Sequence, residues 1–216
     1  MNQLYKGIVR IVSVSLFSIF VFSGCASFAG RELPMYTNDQ LAAPEKKISA
    51  SYDVKAFGLH GENAGVALTI DKKIQKVLTE SHIFADLQSG TNSGDYHYSF
   101  VFRNEGKPGE TLAFINGFVS GFTFGVIPAY ARDIYIITVD VKQGDRVLKT
   151  YTYKDHMDSW IQLFLVVLTP FNWPPTVGDS VIDNMIMNFA HDFSGDIKSG
   201  VYLAQEQGNL ITDSHK

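Results

Sequence analysis

The chain has few residues of the kinds that carry out chemistry, and the first of them is its single cysteine, Cys25. One cysteine forms no intramolecular disulfide and no thiolate metal cluster, because both need several thiols. Two roles remain for it: an acceptor for a covalent lipid, or a small buried apolar residue. The residues around Cys25 decide between these roles.

Six histidines offer acid–base or metal chemistry, but none of them stands in an HExxH or HxH spacing. The densest polar cluster is the stretch KDHMD at residues 154–158. It is a catalytic or metal site only if Asp155, His156 and Asp158 converge in one pocket; otherwise it is the charged end of a strand. The sequence contains no G-x-S-x-G, phosphate-loop or G-x-G-x-x-G motif. We therefore expect a protein without catalytic activity, cofactor or metal.

The first 25 residues have the order of a secretory signal. Residues 1–10 carry two positive charges and no negative one, and residues 11–22 are a 12-residue run that is apolar apart from three serines. This run is short for a membrane-spanning helix, and the small residues Ser23 and Gly24 follow it. We predict a signal peptide over 1–24, cleaved after Gly24. An uncleaved anchor and a cleaved protein without lipid are the alternatives.

The stretch Phe22-Ser23-Gly24-Cys25 resembles the lipobox of bacterial lipoproteins. The resemblance implies that a diacylglyceryl thioether forms on Cys25, which becomes the first residue of the mature chain. It also implies delivery to the outer membrane, with the protein facing the periplasm. Asp at the second mature position would favour inner-membrane retention, and this chain has Ala26 there. Several acyl chains anchor a protein stably, whereas one chain gives only marginal binding.

The charge balance excludes one class of partner. Loss of Lys6 and Arg10 with the signal peptide leaves 16 basic and 22 acidic side chains, a net charge of −6. Nucleic-acid binding rests on clustered Lys and Arg that neutralise phosphates, so we expect no nucleic-acid partner. Residues 25–47 hold the cysteine followed by small, polar and proline residues, and they are predicted to be a flexible tether.

Hydrophobic periodicity predicts one α+β domain over residues 48–194. A mixed sheet in the order strand, helix, strand, hairpin, helix would bury the apolar stripes of two packing helices. The predicted strands are 48–57, 95–104 and the hairpin of 132–142 with 146–154, and the predicted helices are 64–81 and 177–193. Alternate aromatic residues from Tyr96 to Phe102 face the core in this fold; the alternative is an aromatic ladder that binds sugars or peptides. Residues 195–216 are predicted to be a tail that is peripheral apart from a small apolar patch at 201–203.

Two charge-free segments flank the hairpin: 21 residues between Glu110 and Arg132, and 20 residues between Asp158 and Asp179. Their apolar parts, 111–131 and 159–173, are predicted to form a helical or loop pair at one end of the domain, because the hairpin brings their ends together. Glycines at four-residue spacing would leave a bare groove on a helix, which the second segment is suited to close. The residues predicted to contact a partner or a membrane are Gly117, Gly121, Gly125, Phe118, Phe122, Trp160 and Phe164.

Three interpretations of this apolar pair remain open. It is part of the core beneath the sheet, or it protrudes and enters the lipid interface or docks a partner protein. The third is a full membrane span, which the glycines and Pro128 disfavour because they lower helix propensity. Trp160, Trp173 and Tyr130 at the ends of the segments suit an interface, and they also suit the edge of a core.

Larger stretches carry a second resemblance. SHIFADL at 81–87 and GDYHYSFVF at 94–102 look like envelope proteins with the TolB amino-terminal type of domain, and LpoB-like and CsgG-like proteins are similar in outline. FGVIPAY at 124–130 and WIQLFLVVLTPF at 160–171, together with the hairpin, resemble a family of proteobacterial envelope lipoproteins. These motifs are structural, so the resemblance implies a fold and a location and no activity.

The sequence therefore favours a non-catalytic lipoprotein anchored in the outer membrane. Its role would be that of an accessory or binding module of an envelope assembly, with membrane lipid and an envelope protein as its partners. The alternative is a membrane-active or pore-contributing subunit that uses the apolar segments.

Overall fold

The computed structural model describes residues 24–42, 44, 47–58, 60–90, 94–107, 110–123 and 126–202. The predicted signal peptide up to residue 23, Gly125 and the tail beyond residue 202 lie outside the described residues. The strands are β1 (Gly24–Ala29), β2 (Ile48–Gly58), β3 (Gly61–Glu62), β4 (Phe84–Ser89), β5 (Tyr96–Lys107), β6 (Ala129–Gln143) and β7 (Arg146–Gln162). The α-helices are α1 (Ala64–Glu80), α2 (Glu110–Phe122) and α3 (Pro174–Lys198), and short 3₁₀ helices cover Asn38–Gln40 and Leu163–Val167.

The seven strands form one mixed sheet. Its order is β1-β7-β6-β5-β2-β3, and β4 also pairs with β2. β2 runs parallel to β4 and β5, whereas β1 runs antiparallel to β7. Parallel neighbours need a crossover connection, and α1 supplies it between β2 and β4. The predicted α+β class with a mixed sheet is confirmed.

The chain divides into two compact units. The small unit contains β1 up to Gly30, Gly106–Asp133 and Met157–Gly178; the large unit contains Arg31–Glu105, Ile134–His156 and the chain from Asp179 onward. Strands β6 and β7 contribute residues to both units.

The large unit has a conventional core of two helices on a sheet. Helix α1 begins at Asn63, whose side chain accepts a hydrogen bond of 3.0 Å from the backbone N–H of Val66. Its buried face is the predicted stripe at three- and four-residue spacing. The buried residues of that face are Ile70, Ile74, Val77 and Leu78. Those of α3 are Val181, Ile182, Met185, Ile186, Phe189, Ala190 and Phe193.

The aromatic residues of β5 belong to this core. Tyr98 and Phe100 are fully buried, and their rings meet α3 edge to face, at 5.2 Å between Tyr98 and Phe193 and 5.4 Å between Phe100 and Phe189. The core interpretation of the alternating aromatics is therefore confirmed, and the sugar- or peptide-binding ladder is excluded because these rings are not accessible.

Three boundaries differ from the sequence prediction. Gly24–Ala29 forms β1 rather than part of a flexible tether, because its backbone pairs with the edge of β7. Strand β7 continues to Gln162, so the second apolar segment begins inside the sheet. Helix α3 extends to Lys198, into the predicted tail. Tyr202, in the apolar patch of that tail, is buried, and its hydroxyl lies 2.6 Å from that of Tyr151.

Candidate functional site

Cys25, the predicted lipid acceptor, lies in β1 of the small unit. It is half-buried and stands opposite Ile161 of β7, while Gly24 stands opposite Gln162. Two contacts fix the strand further along: the Oγ atoms of Ser27 and Ser159 are 2.6 Å apart, and the Ser27 N–H donates to the Asn172 carbonyl at 2.9 Å. Burial raises the pKa of the Cys25 thiol, so the free thiol stays protonated at neutral pH. A thiol of this kind is a poor catalytic nucleophile.

Helix α2, from the first apolar segment, has an inner and an outer side. On the inner side Asn116 Nδ2 donates a hydrogen bond of 2.8 Å to the Tyr130 carbonyl, and Ser120 is buried. On the outer side Phe118 and Phe122 are 65% and 79% exposed, with stacked rings 6.5 Å apart. The spacing of four residues places the two rings on the same side of the helix. Their exposure shows that this ridge is not core.

The glycines of α2 do not form a closed groove. A Cβ atom built at Gly117 or Gly121 would meet no heavy atom of the described chain within 4 Å. The expectation that the second apolar segment packs over these glycines is therefore wrong. The bare strip of α2 is open space, and Gly125 lies outside the described residues.

The second apolar segment is exposed as well. Its 3₁₀ helix Leu163–Val167 is followed by backbone hydrogen bonds from Thr169 to Leu165 and from Asn172 to Leu168, which hold the segment in a compact turn. Its outward side chains are Phe164, Val167, Leu168, Phe171 and Trp173, of which Phe164 is 74% exposed and Phe171 82% exposed.

A polar group lies where the paired strands enter the small unit. Arg132 binds Asp158 through two hydrogen bonds, Nε to Oδ1 at 2.6 Å and Nη2 to Oδ2 at 2.8 Å, and the Tyr130 hydroxyl donates to the same carboxylate at 2.7 Å. The bond to Asp158 raises the pKa of Arg132, and burial together with the same carboxylate raises the pKa of Tyr130. The Tyr130 ring lies 4.7 Å from that of Trp160, which is 37% exposed. This group is an ion pair that also holds the Tyr130 hydroxyl, and the Tyr130 ring in turn contacts that of Trp160.

The exposed apolar residues are concentrated in the small unit. Among the described residues, fourteen of the seventeen large hydrophobic side chains that are exposed belong to it, and only Met35, Leu68 and Val147 belong to the large unit. We call the fourteen the apolar surface. Its members are Phe28, Ile115, Phe118, Val119, Phe122, Val126, Ile127, Trp160, Ile161, Phe164, Val167, Leu168, Phe171 and Trp173. The interpretation of both segments as core is wrong for these side chains.

The polar stretch at 154–158 does not form one pocket. Asp155 is buried and accepts the backbone N–H groups of Glu32 and His156, and His156 Nδ1 lies 3.0 Å from Glu32 Oε1. Asp158 binds Arg132 and Tyr130 instead. Asp155 and His156 therefore share Glu32 as a partner, whereas Asp158 has different ones. The described side chains include no cluster of three or more His, Cys, Asp or Glu that fits a metal ion.

The sequence reasoning missed one polar cluster, on β2 and β5 of the large unit. Ser51 Oγ lies 2.9 Å from His97 Nδ1, and His97 Nε2 lies 3.2 Å from Asp53 Oδ2. The residue types are those of a serine hydrolase, but Ser51 is fully buried, so a substrate carbonyl cannot reach its hydroxyl. The contacts arise because Ser51 stands directly opposite His97 in the parallel pair. A register that joins residues 46 positions apart leaves no local signal in the sequence.

No helix in the described part of the chain combines the length and the apolar character needed to cross a membrane. The comparisons with known proteins concern the fold. No family model matches the chain, and no curated protein matches it significantly.

Solved structures similar in fold include a minor lipoprotein from Acinetobacter baumannii, at 10% identity over 70% of this chain and 95% of that one, with a TM-score of 0.40. They also include the PelC dodecamer from Paraburkholderia phytofirmans, at 10% identity over 76% of this chain and 95% of that one, with a TM-score of 0.33. A third is the rare lipoprotein B from Shewanella oneidensis, at 7% identity over 73% of this chain and 98% of that one, with a TM-score of 0.24. Identities and TM-scores at this level carry no conclusion about the role of this chain.

Proposed function

We propose that this chain is a lipoprotein of the bacterial outer membrane that faces the periplasm and serves, without catalysis, as an accessory or binding module of an envelope assembly. The lipid on Cys25 holds it to the membrane. The apolar surface supplies a second contact, and an envelope protein is the further partner.

One observation carries this proposal: the cysteine of the lipobox-like motif and the apolar surface belong to the same unit. Cys25 is in β1, whose partner β7 continues directly into Phe164 and the exposed turn that follows. Isolated exposed apolar residues are ordinary on soluble proteins, but a concentration of this kind marks a contact with another molecule or a membrane.

A binding role is favoured over an enzymatic one by the state of the polar groups. The two polar clusters described above are either divided among separate partners, as at Asp155 and Asp158, or closed to substrate, as at Ser51. Catalysis needs convergent groups that a substrate can reach.

Metabolic labelling with a palmitate analogue, followed by separation of inner and outer membranes, tests the anchor and the location. Wild type should carry the label and sediment with the outer membrane. Cys25→Ala should lose the label and leave that fraction. Ser27→Ala is the matched control, because it alters the same strand without removing the thiol, and it should be labelled as wild type is. Equal label on wild type and Cys25→Ala would refute the proposal.

The binding role is tested by a photo-crosslinking amino acid at Leu68, an exposed apolar position of the large unit. A discrete adduct with one envelope protein is expected in intact cells, and it should disappear when Cys25→Ala removes the chain from the membrane. A smear of abundant neighbouring proteins would count against an assembly partner.

The second candidate is a membrane-active or pore-contributing subunit, which the exposed ridge of Phe118 and Phe122 favours. It predicts stable oligomers and the release of a trapped dye from vesicles. Binding to vesicles without dye release would leave the accessory role.

A further inference from the structure

We propose that the apolar surface of the small unit lies against the same lipid leaflet that receives the acyl chains of Cys25, so that a phospholipid surface is its occupant. This inference rests on the proposed function, because it takes Cys25 to be lipidated. It goes further in naming which molecule covers the surface.

The side chains along β6 and β7 follow the polarity of a bilayer surface. Arg132 of β6 and Asp158 of β7 form the ion pair. Tyr130, two residues before Arg132, and Trp160, two residues after Asp158, have their rings in contact. Beyond Gln162 the chain turns into Phe164 and Val167, both exposed. Charge, aromatic ring and apolar side chain thus follow one another from Asp158 to Phe164. Lipid presents the same order, with polar headgroups, an aromatic-rich boundary and acyl chains.

The distances fit a shallow insertion. Side chains two residues apart on a strand are separated by about 6.6 Å, so Asp158 and Gln162 lie about 13 Å apart along β7. Peripheral amphipathic elements bury their apolar faces about 5–10 Å into the boundary between headgroups and acyl chains. With Trp160 at that boundary, the ion pair remains in the headgroup region and Phe164 reaches the acyl chains.

The lipid attachment site stands at the level of the aromatic pair. Cys25 is opposite Ile161, and Ala26 is opposite Trp160. The glyceryl group of a lipidated cysteine occupies the headgroup boundary, because its acyl chains extend into the hydrocarbon. The anchor and Trp160 are therefore held at one depth by the register of β1 on β7. A lipid fixed there brings the apolar surface to the leaflet without further loss of translational freedom.

The charges of the small unit also favour lipid over water. From Gly24 to Gly30, from Gly106 to Asp133 and from Met157 to Gly178 the sequence has only five charged residues: Lys107, Glu110, Arg132, Asp133 and Asp158. None lies within 111–131 or 159–178. Charged side chains at acyl-chain depth are costly, so a lipid-facing segment excludes them.

The chain contains its own reporters for this contact. It has two tryptophans, Trp160 and Trp173, and both belong to the apolar surface. The test uses full-length lipidated protein purified from membranes and reconstituted into phosphatidylethanolamine–phosphatidylglycerol vesicles that also contain phosphatidylcholine brominated on its acyl chains. Mass spectrometry first establishes the diacylglyceryl group on Cys25. We expect the brominated lipid to quench tryptophan emission and the vesicles to protect the indoles from acrylamide.

Two substitutions of similarly exposed apolar residues provide the comparison. Phe164→Asp, in the small unit, should lower the ratio of protein whose apolar surface contacts lipid to protein whose apolar surface does not. The expected decrease is at least about tenfold, because burial of one phenyl ring in lipid contributes at least that factor. Leu68→Asp, in the large unit, should leave quenching unchanged. Circular dichroism of both variants verifies the fold.

The outcomes separate this inference from the function on which it rests. Absence of the diacylglyceryl group refutes the lipoprotein itself. Lipidated protein whose tryptophans are unquenched by brominated lipid overturns the inference alone. In that case quenching by acrylamide would mean that the indoles face water, and protection from acrylamide would mean that a second copy or another protein covers them. Either result overturns the inference. Equal quenching in wild type and Phe164→Asp would overturn it as well.

Discussion

The two units differ in whether their large apolar side chains are buried or exposed. In the large unit α1 and α3 close over the sheet, and residues such as Phe189 and Phe193 are fully buried. In the small unit α2 and the turn after β7 bind the rest of the unit through Asn116 and Asn172, while Phe122 and Phe171 point outward. The aromatic residue types are the same in both. The two units differ in their charged residues. The large unit has charged side chains on its surface, whereas the segments 111–131 and 159–178 of the small unit have none.

This difference shows that hydrophobicity alone does not identify a core. An apolar stretch becomes core when a second apolar face is available at the matching position, and it becomes a contact surface when none is. Predictions that follow from the comparison concern stability, because a buried ring and an exposed ring of the same type contribute very differently to folding.

The largest expected effect is that of Phe189→Ala against Phe164→Ala. Phe189 is fully buried and touches four other aromatic rings, so its truncation should lower the free energy of unfolding by about 3–5 kcal/mol. Phe164→Ala, at an exposed position, should change it by less than about 0.5 kcal/mol. Urea denaturation of the unlipidated Cys25→Ala protein measures both. Equal losses for the two variants would mean that the exposed surface is core.

Alkaline pH should destabilise the large unit through its tyrosines. Burial raises the pKa of Tyr151 and of Tyr153, and hydrogen bonds to the carboxylates of Asp196 and Asp192 raise them further. A raised pKa in the folded state means that stability is complete below the pKa of the unfolded tyrosine and falls as pH rises above it. We expect a loss of about 1.4 kcal/mol per tyrosine for each pH unit above about 10.

Unfolding curves recorded from about pH 8 to about pH 11, with tyrosinate absorbance in parallel, measure this loss. Tyr151→Phe should reduce the slope of the free energy of unfolding against pH by the contribution of one tyrosine. A slope identical to that of wild type would show that Tyr151 does not titrate differently in the folded and unfolded protein.

The smallest effects distinguish the glycines of the two units. Gly117→Ala should raise the free energy of unfolding by up to about 1 kcal/mol, because the added methyl group meets open space on α2 and alanine favours a helix. Gly94→Ala in the large unit should destabilise. Its Cβ would lie 2.7 Å from the Ser49 carbonyl oxygen, and the φ of +101° at Gly94 is one that L side chains rarely adopt.

Thermal unfolding followed by circular dichroism measures both variants. A destabilised Gly117→Ala would show that another segment packs on the glycine strip in solution.

Regular patterns allowed much of the large unit to be predicted from sequence. The stripe from Ile70 to Leu78 and the alternation from Tyr98 to Phe102 each refer to one element and one face, so the period alone identifies them. The hairpin was predicted from its turn, where Gly144 adopts a φ of +58°. In each case the information is local.

The small unit was less predictable because its decisive contacts are distant in sequence. The residues of β1, GCASFA, have no alternation, and they are a strand only because β7 offers an edge; Gly24 stands opposite Gln162 and Ala29 opposite Met157, far away in the sequence. The exposure of Phe118 and Phe164 depends on whether another apolar face covers them, which the two segments cannot reveal by themselves. The apolar patch at 201–203 stood out in the sequence, but its partner did not, because the hydroxyl of Tyr202 meets that of Tyr151, which is 51 positions away.

The pairing of β1 with β7 has a mechanical consequence for an anchored protein. A domain that hangs from its lipid on a flexible chain can turn about many backbone bonds. Here the backbone from Gly24 to Ala29 is paired with β7 in the sheet, so with the proposed lipid on Cys25 the freely rotating links between lipid and protein would be the few bonds of the Cys25 side chain and its glyceryl group. A lateral pull or a torque on the protein would then reach the proposed lipid through the pairing of β1 with β7, in which Cys25 stands opposite Ile161.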